Sequence, residues 1–167
     1  MIETFSDPLP ADIHRLAERV MHAACAKSLA IATAESCTGG LLAAVLTDVE
    51  GCAHGFERGF VTYTEEAKAQ VLGVARQTLD GSGAVSAPAA REMAQGALAA
   101  SEADLALAVT GFAGPGGPGD EVGLVFLASA RRGEPAQVKE HHYGEVSRAA
   151  VRLACLRDGL KMLEALL

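Results

Sequence analysis

The segment Asp104–Gly111, DLALAVTG, most limits what this chain can fold into. A strand with one face in water alternates polar and apolar residues. An unbroken apolar run of this length belongs inside a sheet covered on both faces. The remaining sequence supplies the covers. ADIHRLAERVMHAACAK places Ile13, Leu16, Ala17, Val20, Met21 and Ala24 on one helical stripe, with a cap expected near Asp7 or Pro10. SLAIATAE reads as a short buried strand, and Gly39 to about Asp48 as a helix. GFERGFVTYT has strand composition, with Tyr63 closing the strand. EEAKAQVLG is helical and stops at Gly73. SAPAAREMAQGALAAS is a helix capped by Ser86 with Pro88 in its first turn. VGLVFLASA and AQVKEHHYG are two further strands. Only a turn near Arg132-Gly133-Glu134 separates them, so they must be antiparallel. SRAAVRLACLRDGLKMLEALL closes the chain as a long helix. Strands alternating with helices give an α/β fold, a three-layer α/β/α sandwich around a mixed, mostly parallel five-stranded sheet. With 167 residues the expectation is one domain over 1–167.

Composition removes several function classes. Half the residues are hydrophobic, yet no apolar run reaches the about 18–20 residues of a membrane span. The opening MIETFSDPLPADIHRL has neither a basic segment nor an apolar one, so no signal peptide and a cytoplasmic location are expected. Net charge is −7 without a Lys/Arg cluster, which argues against a nucleic-acid surface. There is no tryptophan to build a stacking platform. Cys25, Cys37, Cys52 and Cys155 lie far apart in sequence and form no CxxC. Neither a metal site nor a disulfide framework is expected, and a reducing compartment fits.

Three motifs carry chemistry. ATAESCTGGLLAAVL sets a serine beside a cysteine and two glycines where a strand becomes a helix. The first-turn N–H groups of a helix lack partners, so the turn suits a phosphate, a carboxylate or a developing oxyanion. Either Ser36 is a nucleophile there, or Ser36 or Thr38 is only a cap. Cys37 competes with Ser36 as nucleophile, packing being the commoner fate of a small cysteine. In VTYTEEAK, Tyr63 and Lys68 are five residues apart and can reach one rim. Lys68 is a base if burial lowers its pKa, or a surface charge if not. In VTGFAGPGGPGDE, Gly114, Gly116 and Gly119 fit G-x-G-x-x-G, but two prolines interrupt it and a strand follows. The loop either lines a small-molecule site beyond a strand end or is a long hairpin connection. Arg148 and Arg152, one turn apart, are either a phosphate clamp or solvated charge.

The words TAESCTGGLLAA, GFERGFVTYTEEAKAQVLGV, GAVS and TGFAGPGG, in this order, resemble the CinA C-terminal-domain family. The similarity runs from about residue 10 to the end. Stand-alone members of that family are nicotinamide-nucleotide amidases. The resemblance implies hydrolysis of the carboxamide of nicotinamide mononucleotide to nicotinic acid mononucleotide and ammonia. It implies the same α/β/α fold, no metal or cofactor, a pyridine-nucleotide substrate and a homodimer. The family nucleophile falls on Ser36 and its helpers on Tyr63 and Lys68. N–H groups near Thr38–Gly40 would hold the oxyanion, and Cys37 would be packing. Substrate contacts are expected from Glu35, Cys37, Thr38, Gly39, Gly40, Thr110, Gly111, Gly114 and Arg148.

The chain departs from the family in three places. Thr64-Glu65-Glu66-Ala67-Lys68 replaces Ser-Asn-Glu-Ala-Lys, adding a charge at Glu65 that would raise the lysine pKa if it faced the site. The loop after Gly117 is shorter and lacks lysine-proline. Val146-Ser147-Arg148 stands for Gly-Asp-Arg. Glu65 and the shortened loop motivate one alternative, a nucleotide-binding regulatory module without turnover. Another is an amidase for a different carboxamide, since a serine-lysine site is not specific to one substrate.

Overall fold

The apolar run becomes the middle strand of the sheet. In a computed structural model, which describes residues 9–167, it forms β3 (Leu105–Gly111). The elements before it are α1 (Ala11–Ala26), β1 (Ile31–Glu35), α2 (Leu41–Thr47), β2 (Phe56–Val61), α3 (Glu65–Leu72), α4 (Arg76–Gly81) and α5 (Ala87–Ala99). After it come β4 (Leu124–Arg131), β5 (Gln137–His142) and α6 (Arg148–Glu164). The strand order is β2-β1-β3-β4-β5. β1 runs parallel to both β2 and β3, and β4 is antiparallel to β3 and β5. Only β4 therefore points against the rest, and the parallel pairings gather around β1.

Residue size differs between the two sheet faces. Leu105, Leu107 and Val109 of β3 join Ile31, Val125 and Leu127 against α1, α2 and α6. The alternate positions Ala106 and Ala108 lie with Ala32, Ala34, Ala128 and Ala130 against α5. Small side chains on that face let α5 lie close to the strands, and its own Ala90, Met93, Ala94 and Ala97 complete the layer. Two covered faces explain why β1 and β3 carry no alternation. The edge strands β2 and β5 are partly exposed and more polar.

Some boundaries differ from the sequence reading. α2 begins at Leu41, not Gly39, because Gly39 and Gly40 adopt left-handed backbone at φ 60° and 98°. The ladder of β2 ends at Val61, so Tyr63 lies beyond the strand and not at its close. The six-residue α4 carries too short a pattern to stand out. Pro10 occupies the cap position of α1 without a side-chain bond, and Asp7 lies outside the described residues. Ser86 caps α5 by accepting from the Ala89 N–H at 3.2 Å. No described helix is long and apolar enough to cross a membrane.

Candidate active site

The site is built where β1 and β3 deliver their carboxyl ends side by side, the usual ligand position in open α/β sheets. The Ser36 N–H donates to Val109 O at 3.1 Å and ties the turn after β1 to β3. The chain then folds back over the two left-handed glycines before entering α2.

Glu35 organises this turn. It is completely buried and accepts from Thr38 Oγ1 at 2.7 Å and from the N–H groups of Gly40, Leu42 and Ala43 at 3.1, 3.0 and 2.8 Å. An internal carboxylate thus occupies the positive end of α2. Glu35, Thr38, Gly39 and Gly40 are four of the residues the resemblance expects to meet substrate. Glu35 and Thr38 satisfy one another beneath the surface, and none of the four lines the cavity. The Gly39 N–H is also taken, by Ser36 O at 3.0 Å. Among the described residues, the N–H groups of Cys37 and Thr38 are the ones in this turn with no backbone or side-chain carbonyl to meet.

Lys68 reaches the turn from α3. Thr64 caps that helix, its Oγ1 accepting from the Ala67 N–H at 3.1 Å, and this sets Lys68 in the first turns. Its side chain is 1 % exposed, and Nζ lies 3.0 Å from Ser36 Oγ, 2.8 Å from Thr62 O and 3.5 Å from Tyr63 O. Burial holds the Lys68 amine below the usual lysine range, while Cys37 and Glu65 pull weakly the other way. Nζ donates to Ser36 Oγ as well as to the two carbonyls; on loss of a proton, two N–H groups can keep the carbonyls while the lone pair faces the Ser36 hydroxyl. Glu65 is exposed, and Glu66 pairs outward with Gln70 and Arg76.

The cavity over Ser36 and Lys68 is about 230 Å³. Thr110, Gly111, Gly114, Cys37, Tyr63 and Arg148 all line it. Arg148 opens α6 and lies against the glycine loop, where a Cβ on Gly114 would be 3.1 Å from its Nη2. Arg152 does not line the cavity; its Nε donates to Cys37 O at 2.8 Å and braces the turn from outside. Tyr63 is 63 % exposed at the rim, and it is its carbonyl that meets Lys68. Ala84, Val85, Phe112, Ala113 and Pro115 also line the cavity and escaped the sequence reading. The signal for Ala84 was the word GAVS: Thr110 Oγ1 donates to Ala84 O at 2.7 Å and pins that segment to the end of β3. Among the described residues, no group of three or more His, Cys, Asp or Glu is arranged to hold a metal ion.

A two-faced α/β sandwich with a lysine buried against the serine of a Ser-Cys-Thr-Gly-Gly turn matches one family along nearly its whole length. Residues 13–167 match the CinA C-terminal domain, and the chain belongs to that family. It is 48% identical over 145 residues to "Nicotinamide-nucleotide amidohydrolase PncC" of Escherichia coli strain K12, covering 85% of this chain and 87% of that protein. A CinA-like protein of Chlorobium limicola is 54% identical over 117 residues, which is 69% of this chain but 27% of that longer protein. The crystal structure of competence/damage inducible protein CihA from Agrobacterium tumefaciens superposes with a TM-score of 0.92 at 47% identity. The match covers 96% of this chain and 99% of that one.

Proposed function

We propose that this chain hydrolyses the carboxamide of nicotinamide mononucleotide, using Ser36 as nucleophile and Lys68 as its base. The observation that carries the reading is the 3.0 Å approach of a buried, deprotonation-prone Lys68 Nζ to Ser36 Oγ inside a cavity. The substrate comes from the name of the E. coli relative.

Ser36 Oγ attacks the carboxamide carbon as Lys68 takes its proton. The carbonyl oxygen becomes an oxyanion beside the N–H of Cys37, with the Thr38 N–H next to it. Collapse breaks the C–N bond, and the Lys68 proton leaves with ammonia. Water then attacks the ester, Lys68 takes its proton and returns one to Ser36, and the carboxylate departs. Thr62 O and Tyr63 O hold Nζ throughout, and the Tyr63 ring stands over the entrance. Arg148, the guanidinium that lines the cavity, receives the phosphate.

The test is ammonia release from nicotinamide mononucleotide and from free nicotinamide. The nucleotide should be turned over far better, because remote phosphate binding can orient the amide. Arg148→Ala should raise KM for the nucleotide by about 10- to 100-fold, the range of one charge-assisted contact, and leave nicotinamide untouched. Equal efficiency on both compounds would remove the phosphate subsite. No release from either would favour a binding module.

A further inference from the structure

The proposed chemistry leaves one nucleophile of the cavity unused. Cys37 follows Ser36, lines the cavity and is 3 % exposed. Sequence distance hid its neighbour: the fold brings Cys155, completely buried on α6, into the same core cluster. Arg152, one turn earlier on α6, donates to Cys37 O at 2.8 Å, so this stretch of α6 packs against residue 37. Both cysteines are free thiols.

We propose that Cys37 and Cys155 form an oxidant-responsive pair, in which a hydroperoxide entering the cavity converts Cys37 and Cys155 then closes a disulfide that stops turnover. The environment suits the first step. Interaction with the Cys155 thiol, then its own backbone N–H and the guanidinium of Arg152, hold the Cys37 thiol below its usual range against the opposing effect of burial. The thiolate is the reactive form. It attacks a peroxide oxygen, the O–O bond breaks, and hydroxide leaves a sulfenic acid on Cys37. The Cys155 sulfur attacks that sulfur, the S–O bond breaks, and water departs with the Cys155 proton. Two thiols lose two electrons and two protons, and one hydrogen peroxide becomes two waters.

The disulfide acts on catalysis through the backbone. An S–S bond of about 2.05 Å is far shorter than a contact between two thiols. Residue 37 must move toward α6, and its N–H moves with it, away from the Ser36 centre. The loss of turnover rests on the amidase reading; the cross-link does not.

The experiment treats the full chain with hydrogen peroxide, maps its peptides and measures ammonia release in parallel. The expected result is a Cys37–Cys155 linked peptide, a fall in release of about tenfold or more, and recovery of both by dithiothreitol. Cys155→Ala and Cys155→Ser should keep untreated turnover, form no link, and leave a Cys37 sulfenic acid that dimedone traps. Two results would overturn the pair: both thiols surviving peroxide that oxidises free cysteine, or a linked protein with undiminished release. A chain that links but never releases ammonia would sink the amidase reading and leave the cross-link standing.

Discussion

Glu35 and Lys68 show how little of a residue's task is written in its identity. A glutamate at a strand end beside Ser-Cys-Thr-Gly-Gly reads as a substrate contact. Its donors at 38, 40, 42 and 43 come together only once the turn has folded back. Glu35→Ala should cost about 3 kcal/mol or more, because several buried donors lose their acceptor together. Urea denaturation would measure it, and a loss under about 1 kcal/mol would show that water replaces the carboxylate. Lys68 was legible as a candidate but not as a buried one, since the partner it meets lies 32 residues earlier. With Lys68 as the proposed base, its lowered pKa should make activity rise with pH along one limb. Glu65 raises that pKa, so Glu65→Gln should move the limb to lower pH. An unmoved pH–rate profile would place Glu65 outside the electrostatics of the site. Lys68→Arg should abolish turnover, because guanidinium gives up no proton in this range.

Among the elements, periodicity read α1, α3, α5, α6 and all five strands, because each presents a run long enough to declare its faces. It failed at α4 and at the start of α2, where six or seven residues and two glycines carry too little pattern. The close seating of α5 was also hidden. Gly96 looks like a blemish in a helix, yet a Cβ there would overlap the Leu72 carbonyl at the end of α3. Gly96→Ala therefore sets a propensity gain of up to about 1 kcal/mol against a backbone clash worth about 1–3 kcal/mol. The clash should win. Thermal denaturation should show a lower Tm, and a raised Tm would mean that α3 and α5 can separate freely.

Across the whole molecule, the site draws on both helical layers: Lys68 from the α3 side, Arg148 and Arg152 from α6. Burying Lys68 has a cost to the fold. Its folded pKa lies below the unfolded value of 10.5, so between the two the unfolded chain binds more protons and stability rises with pH. Below the folded pKa the buried ammonium is a constant penalty. Lys68→Met should thus stabilise the protein, more so at lower pH, while removing turnover. Denaturant midpoints across a pH series would check the sign, and a variant that is less stable throughout would show that the three Nζ contacts outweigh desolvation.

The choice of Ser36 over its neighbour is the centre of this account. It is tested most directly by quenching the protein with acid during turnover of nicotinamide mononucleotide and mapping the peptides. The predicted result is a nicotinoyl-nucleotide ester on Ser36, absent from Ser36→Ala, which releases no ammonia. A thioester on Cys37, or ammonia release by Ser36→Ala at the unmutated rate, would contradict it.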